Sequence, residues 1–414
     1  MHFTKRFWRS IVILPVALAL SCGDRQNASS FTLTPAAQVN IDEQEQVLNL
    51  LPTHAELLSD SLFAAYFMDK RAVYVYNIYT GTLHGTTQNL DGALNFDSLM
   101  RGVMTKAELD SMDILPPALQ DEDVPSSGGL QTFSVAGGKL YCFYSVPYRY
   151  KPKTEKGRQA ILDMMPGNLR EEYTRKNLDV TGDGYKAFLV ETDSRIQIRS
   201  VTEIQYENFP RTKYGAYHIM PNGGFYVHDG VLYARIYDQA DMLMPASAKK
   251  IKSSDSLPMI GRLKRSDNRF GWQHEVLNTS AIDDYSFPPV YYGFSSLSFR
   301  EKNDTLLLSC EGGIFTLPEG KKYLLQKKLE PGEVSMGAFE IHNGRILYTA
   351  GKPSPKGYLK PDNMHFCIYN PATDQVEYKQ PFPTFSFVRK NDTIVFMDKN
   401  KEHYFIARYA ITEK

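Results

Sequence analysis

The chain has 414 residues, 47 Lys and Arg against 47 Asp and Glu, 42% hydrophobic residues and 12% aromatic ones. This composition excludes a disordered tail, which lacks the aromatic and β-branched residues of a core. Charge balance argues against a nucleic-acid partner, and a single apolar run near membrane length argues against a multispan membrane protein.

The chain starts with the basic residues Lys5, Arg6 and Arg9. An apolar run from Ile11 to Leu20 follows, broken only by Pro15, and then Ser21, Cys22 and Gly23. A basic start, a short apolar core and small residues read as an export signal over residues 1–21. The run is about half the length a membrane-anchoring helix needs. The segment Ala19-Leu20-Ser21-Cys22 resembles the lipobox of bacterial lipoproteins. That resemblance implies cleavage before Cys22, lipidation of Cys22 (with palmitate among its acyl chains), and a cell-envelope location as an outer-membrane lipoprotein. Whether it faces the periplasm or the outside is left open. Residues 22–30 are small and polar, a tether. Loss of the three basic residues of the signal leaves 44 positive groups against 47 negative.

From residue 31 to 414 one pattern recurs: a turn dipeptide, then a run rich in Leu, Ile, Val, Tyr or Phe. In chain order the dipeptides are Ser59-Asp60, Gly137-Gly138, Asp229-Gly230, Asn303-Asp304, Asn343-Gly344 and Asn391-Asp392. Such pairs suit hairpin turns that need φ > 0. A strand–turn–strand pattern also relates residues 75–83 to residues 368–376, and more loosely to 189–196. Successive hairpins make a four-stranded meander, the unit of a β-propeller. The expected fold is therefore all-β, a six-bladed β-propeller, or a seven-bladed one if 205–230 holds a further blade; a β-sandwich is the alternative. The blades fall near 55–88, 131–204, 215–277, 294–329, 336–380 and 383–410. A strand over Phe31–Ile41 supplies the fourth strand of the last blade and hides both edges. Together with the lipobox, this pattern resembles the six-bladed propeller lipoproteins of unknown function from Gram-negative anaerobes, over residues 45–411. The resemblance implies a fold and a location, and no chemistry.

In such a fold the tight turns share one face. The long connections at 89–130, 151–178, 205–214, 238–256, 279–293 and 351–363 map to the other, where function is expected. Thr105-Lys-Ala-Glu108 reads as a capping box, with Leu109 and Met112 continuing the helix to Pro116. Gln159–Met165 reads as helix, and Asn168 as the cap of a helix over Leu169–Lys176 with Glu171 and Glu172 in its first turn. Residues 89–130 carry eight acids and two bases, whereas 149–178 carry eight bases and four acids. The two insertions either face one another or split the field of one face.

No motif names a reaction. Asp179-Val-Thr-Gly-Asp-Gly184 opens like a calcium loop but has Val190 where a carboxylate is needed, so it reads as a turn. Ser266–Trp272 reads as a turn before a strand. Cys142, Cys310 and Cys367 sit in apolar runs and read as buried small residues, with a disulfide between two of them as the alternative. The histidines are scattered, and no cofactor or metal is expected. Asp-Ser or Asp-Thr before an aliphatic residue or Met, at Ser61, Ser98, Ser111, Ser256, Thr305 and Thr393, resembles the O-glycosylation acceptor of some Gram-negative anaerobes. The same dipeptides also serve turns.

The expected binding surface is aromatic. Tyr206 and Arg211 lie in one loop, and Asp283, Asp284, Tyr285, Tyr291 and Tyr292 in another. Tyr150 and Lys151 enter the insertion at 151–178, and Tyr358 lies among lysines. Tyrosines beside charged groups stack on sugars or anchor proteins. The reading is a membrane-tethered binding or scaffold module for a glycan, peptide or protein. The alternative is a hydrolase or lyase acting on a polysaccharide or lactone, with carboxylates converging at the loop-face funnel.

Overall fold

The computed structural model describes residues 31–41, 51–115, 129–205, 211–212, 215–219, 225–238, 259–267, 269–278, 298–302, 305–310, 313–317, 321–323, 325–352, 354, 360–400 and 403–414. Strand β1 (Phe31–Asn40) comes first. The first meander is β2 (His54–Leu57), β3 (Leu62–Phe67), β4 (Ala72–Asn77) and β5 (Leu83–Thr86). Helices α1 (Gln88–Ala93), α2 (Phe96–Val103) and α3 (Lys106–Ser111) and strand β6 (Met112–Ile114) follow. The second meander is β7 (Gly129–Ala136), β8 (Lys139–Pro152), β9 (Gly182–Thr192) and β10 (Ile198–Ile204), with α4 (Glu155–Met164) and α5 (Gly167–Lys176) between β8 and β9.

The third contains β11 (Arg211–Thr212), β12 (Gly215–Ile219), β13 (Phe225–His228), β14 (Val231–Asp238), β15 (Met259–Ser266) and β16 (Arg269–Asn278). Here β12 and β13 both pair with β14. A short parallel contact of β10 with β16 joins the second and third meanders into one sheet. Then come β17 (Ser298–Lys302), β18 (Thr305–Cys310), β19 (Gly313–Leu317) and β20 (Lys322–Tyr323) as the fourth. The fifth is β21 (Val334–His342), β22 (Arg345–Gly351), β23 (Met364–Asn370) and β24 (Gln375–Pro381). The last is β25 (Val388–Lys390), β26 (Thr393–Lys399) and β27 (Tyr404–Glu413). Its fourth strand is β1, antiparallel to β27 from Phe31↔Glu413 to Asn40↔Phe405.

The turns form for local reasons. Gly137 and Gly138 (φ 56° and 71°), Asp229 and Gly230 (46° and 72°), and Asn343 and Gly344 (45° and 77°) all adopt left-handed backbone. Consecutive left-handed residues match the twist of the strands they join.

Middle strands are buried on both faces. In β3, Phe63, Ala65 and Phe67 enter a core with Val388, Val395 and Met397. Leu62, Ala64 and Tyr66 enter another with Phe133, Leu140 and Tyr144. Alternate side chains point to opposite faces, so a strand between two sheets reads as continuously apolar. The same construction gives a core between the second and third meanders around Phe143, Leu189, Phe225 and Leu232. It recurs between the fourth and fifth around Ile314 and Tyr348, and between the fifth and last around Phe366, Phe387 and Phe396. The first strands of successive meanders touch in series: β2 with β7, β7 with β13, β13 with β17, β17 with β21, β21 with β25, and β25 with β2.

Cys142 and Cys367 are buried, as small apolar residues would be. Burial pushes the Cys367 thiol up to about 12. Cys310 lies in β18, and its side chain falls outside the described residues. Among the described residues no helix is long and apolar enough to cross a membrane.

Candidate functional site

The two large insertions meet. Thr105 caps α3 with the full reciprocal box: its Oγ1 accepts from the Glu108 N–H, and Glu108 Oε2 accepts from the Thr105 N–H at 2.7 Å. The helix ends at Ser111, and Met112 does not continue it. Met112–Ile114 instead pair with Tyr150–Pro152 as a third strand beside β8 and β9. A three-residue strand carries too little pattern to outweigh a helical one. Lys153 Nζ bonds Asp113 at 3.0 Å and the Leu109 carbonyl at 2.9 Å, and Lys186 Nζ bonds Glu108 Oε1 at 2.9 Å. One acid–base pair, Asp113 with Lys153, thus joins the two insertions, and Glu108 with Lys186 ties α3 to β9. Glu108 is pushed up by burial but held below the usual carboxylate range by Lys186 and Thr105.

Beyond this three-strand arm, α4 begins earlier than expected, at Glu155, because the Thr154 hydroxyl accepts from the Gly157 N–H. Asn168 does not cap α5. The helix starts at Gly167, with Pro166 at the cap position and no acid in its first turn. The Arg170 guanidinium donates instead to the Leu162 and Asp163 carbonyls at 2.9 and 2.8 Å, tying α5 to the end of α4. Helices α1 and α2 had no sequence signal strong enough to be expected. They bury Leu90, Leu94 and Met100 against the core of the first two meanders.

Two candidate binding residues lie in this arm: Tyr150 is half-buried and Lys151 is exposed, and each has a partner within the arm. The Tyr150 ring covers Gly182, its direct cross-strand partner. It also packs on Ile161, Leu162 and Val180 beneath the helices. Lys151 Nζ pairs with Asp179 at 2.8 Å. Asp179–Gly184 is correspondingly no turn: Gly182–Gly184 open β9, and Asp183 pairs with Arg149 at 3.0 Å. Among the described residues no group of three or more His, Cys, Asp or Glu is placed to hold a metal ion. Arg211 lies in β11, and its side chain falls outside the described residues. Cys22, Tyr206, Asp283, Asp284, Tyr285, Tyr291, Tyr292 and Tyr358 also lie outside the described residues. Of the acceptor-like sites, Ser98 is exposed on α2, and Thr305 and Thr393 open β18 and β26.

The glycines opposite the tyrosines are a sharp test of the arm. A Cβ on Gly184 would lie 2.4 Å from the Tyr148 ring, and one on Gly182 would lie 2.5 Å from Tyr150. Gly184→Ala is expected to destabilise the arm by about 1–3 kcal/mol, the usual range for overpacking. Limited proteolysis checks this, since faster cleavage in residues 153–181 is expected. Cleavage at the parental rate would refute it.

A second cluster went unnoticed in the sequence. Arg300 on β17 donates from Nη1 to Glu56 of β2 at 2.9 Å and from Nη2 reaches Glu340 of β21 at 3.0 Å. The Arg389 backbone N–H on β25 donates to the same Glu340 oxygen at 3.2 Å. His54 Nε2 stands 3.4 Å from Glu56, its ring edge-on to Phe133 of β7 at 4.9 Å. First strands of several meanders are thus joined at one point. Burial raises the Glu56 carboxyl, but Arg300 and His54 outweigh it, so it falls below its ordinary value. Burial wins at Glu340, which is raised despite Arg300. Split acidities suit acid–base pairs, but here one guanidinium fills the interval between the carboxylates. The arrangement is a clamp. A signal existed: Glu56, Arg300 and Glu340 each stand three residues ahead of a turn dipeptide.

No family model matches the chain, and no curated protein matches it in sequence. Among solved structures, the PQQ-bound aldose sugar dehydrogenase of Streptomyces coelicolor is 11% identical, over 92% of this chain and 98% of that one, with a TM-score of 0.38. A protein of unknown function from Bacteroides thetaiotaomicron is 8% identical over 92% and 76%, with a TM-score of 0.40. YCF48 bound to a D1 peptide is 7% identical over 91% and 95%, with a TM-score of 0.37. These neighbours are β-propeller-type proteins of mixed function, and likeness at this level transfers neither an activity nor a ligand to this chain.

Proposed function

We propose that the chain is a lipid-anchored cell-envelope module, a six-bladed propeller closed by β1, that binds or scaffolds a glycan, peptide or protein on its loop face. The series of contacts among first strands, returning from β25 to β2, supports the blade count. One observation carries the binding reading: the two loop-face insertions are sewn into a single arm by β6 and by ion pairs. A rigid scaffold presenting a built-up loop region is how binding surfaces are commonly held. The buried carboxylates Glu56 and Glu340 support it too, since they clamp strands rather than frame a substrate.

The chain carrying Cys22→Ala, screened on glycan arrays and in pull-downs from envelope extracts, tests the binding role. A saturable ligand is expected. Turnover in a hydrolase or lyase screen, abolished by Asp283→Ala or Asp284→Ala, would overturn it. In cells, Cys22→Ala is expected to abolish palmitate labelling and move the protein out of the membrane fraction. Unchanged labelling would refute the anchor.

A further inference from the structure

Tyr79 lies in the β4–β5 turn. Asn77 Oδ1 accepts from the Tyr79 and Thr80 N–H groups at 2.9 and 3.2 Å, and Gly81 closes the turn at φ 74°. This local turn leaves the Tyr79 side chain 45% exposed. Two cations of the last meander converge on it. Lys390 Nζ donates to the Tyr79 hydroxyl at 2.6 Å and to the Asp60 carbonyl. The Arg408 guanidinium stands 4.8 Å from the ring centroid, and Lys390 Nζ stands 5.0 Å from it.

Elsewhere in the strands Arg300, Arg345, Lys186 and Lys379 each hold a carboxylate. Here, among the described residues, neither cation has one. The Arg408 Nε is moreover buried with no hydrogen-bond partner. The two charges lie within about one Debye length of each other and repel. A tetrahedral oxyanion balances the two charges at the outer ends of these side chains. It accepts from the guanidinium fork, from the ammonium group and from the phenol hydrogen that Lys390 leaves free.

The place suggests the source. Asp60 lies between β2 and β3, and Lys390 immediately precedes the Asn391-Asp392 turn, so the site is on the tight-turn face. Phe31 is on that side as well. It pairs with Glu413, and its ring lies under the guanidinium of Arg345, which follows the Asn343-Gly344 turn, at 4.9 Å. Residues 22–30 span at most about 30 Å when extended. A lipid on Cys22 would therefore hold this face beside the bilayer. We propose that the tight-turn rim between the last and first meanders binds the phosphate of a membrane-lipid headgroup through Lys390, Arg408 and Tyr79. The choice of lipid as the source rests on the lipid-anchor reading.

The test uses the Cys22→Ala chain, so that no acyl chain contributes. It is expected to sediment with phosphatidylglycerol vesicles at low salt and to be released as salt rises. Lys390→Gln with Arg408→Gln should weaken that partition about thirtyfold, at an unchanged melting temperature. Tyr79→Phe, which keeps the ring, should weaken it less. If the double variant melts early, Lys390→Gln alone gives the reading, at about fivefold. Partition equal to the parent's overturns the site. Inorganic phosphate binding that is lost in the variant, without vesicle binding in the parent, overturns the lipid as the source. Failure of the anchor itself shows separately, as unchanged palmitate labelling of Cys22→Ala.

Discussion

Arg300→Met is expected to destabilise the protein by about 3–5 kcal/mol at neutral pH, the usual result of breaking a buried ion pair from one side. The substitution keeps most of the volume and leaves Glu56 and Glu340 buried without the guanidinium that joins them. Adding Glu56→Gln and Glu340→Gln should recover most of the loss, because no unpaired charge then remains. Single-residue packing defects would add rather than cancel.

The pH dependence separates this account from a packing effect. In the parent, the Glu56 carboxyl lies below its ordinary value, so its contribution is present above that value and fades as the pH falls through the lower, folded one. Glu340 is raised, so its contribution has the opposite sign: it is full at low pH and fades as the pH rises through the folded value. In Arg300→Met, burial is opposed only by His54 at Glu56 and by the Arg389 N–H at Glu340, so both carboxyls rise. Both then favour the folded state most when protonated. The gap between variant and parent should therefore be wide at pH 7 and narrow near pH 4. Urea denaturation at the two pH values measures it, and a gap independent of pH would refute the clamp.

What the sequence conveyed was local. A turn dipeptide needs φ > 0 whatever surrounds it, so Gly137-Gly138 and Asn343-Gly344 were legible before any partner was known. The capping box at Thr105 is local in the same way. The packing of Tyr150 was not legible, because its partner, Gly182, lies across a helical insertion, and a tyrosine in sequence gives no sign that it covers a glycine. Strand β6 escaped for a similar reason, since only its pairing with β8 makes three residues a strand. The clamp could have been found. A charged residue three places ahead of a turn in an otherwise apolar strand is a repeat position, and such residues meet wherever first strands converge.

Removal of β1 should have the largest effect. A chain starting at residue 42, expressed beside one starting at residue 22, is expected to aggregate rather than fold. The strand pairs with β27 along nearly its whole length. It also fills cores on both of its faces: Phe31 packs with Phe366, Phe387 and Phe396, and Val39 packs against the core holding Phe63 and Val395. Full burial of each large apolar side chain contributes about 1.5–3 kcal/mol. Loss of several, with the ladder, approaches the whole reserve of about 5–15 kcal/mol that keeps a protein folded. The bared edge of β27 would in addition offer a template for other chains. The end of β1 is pressed on the first meander as well. A Cβ on Gly81 would fall 1.9 Å from the Asn40 carbonyl oxygen. The strand is thus the seam between the last meander and the first, and a synthetic peptide of residues 31–41 added during refolding should restore soluble, monomeric protein. Soluble monomer from the shortened chain alone, melting with the parent, would mean that the last meander needs only three strands.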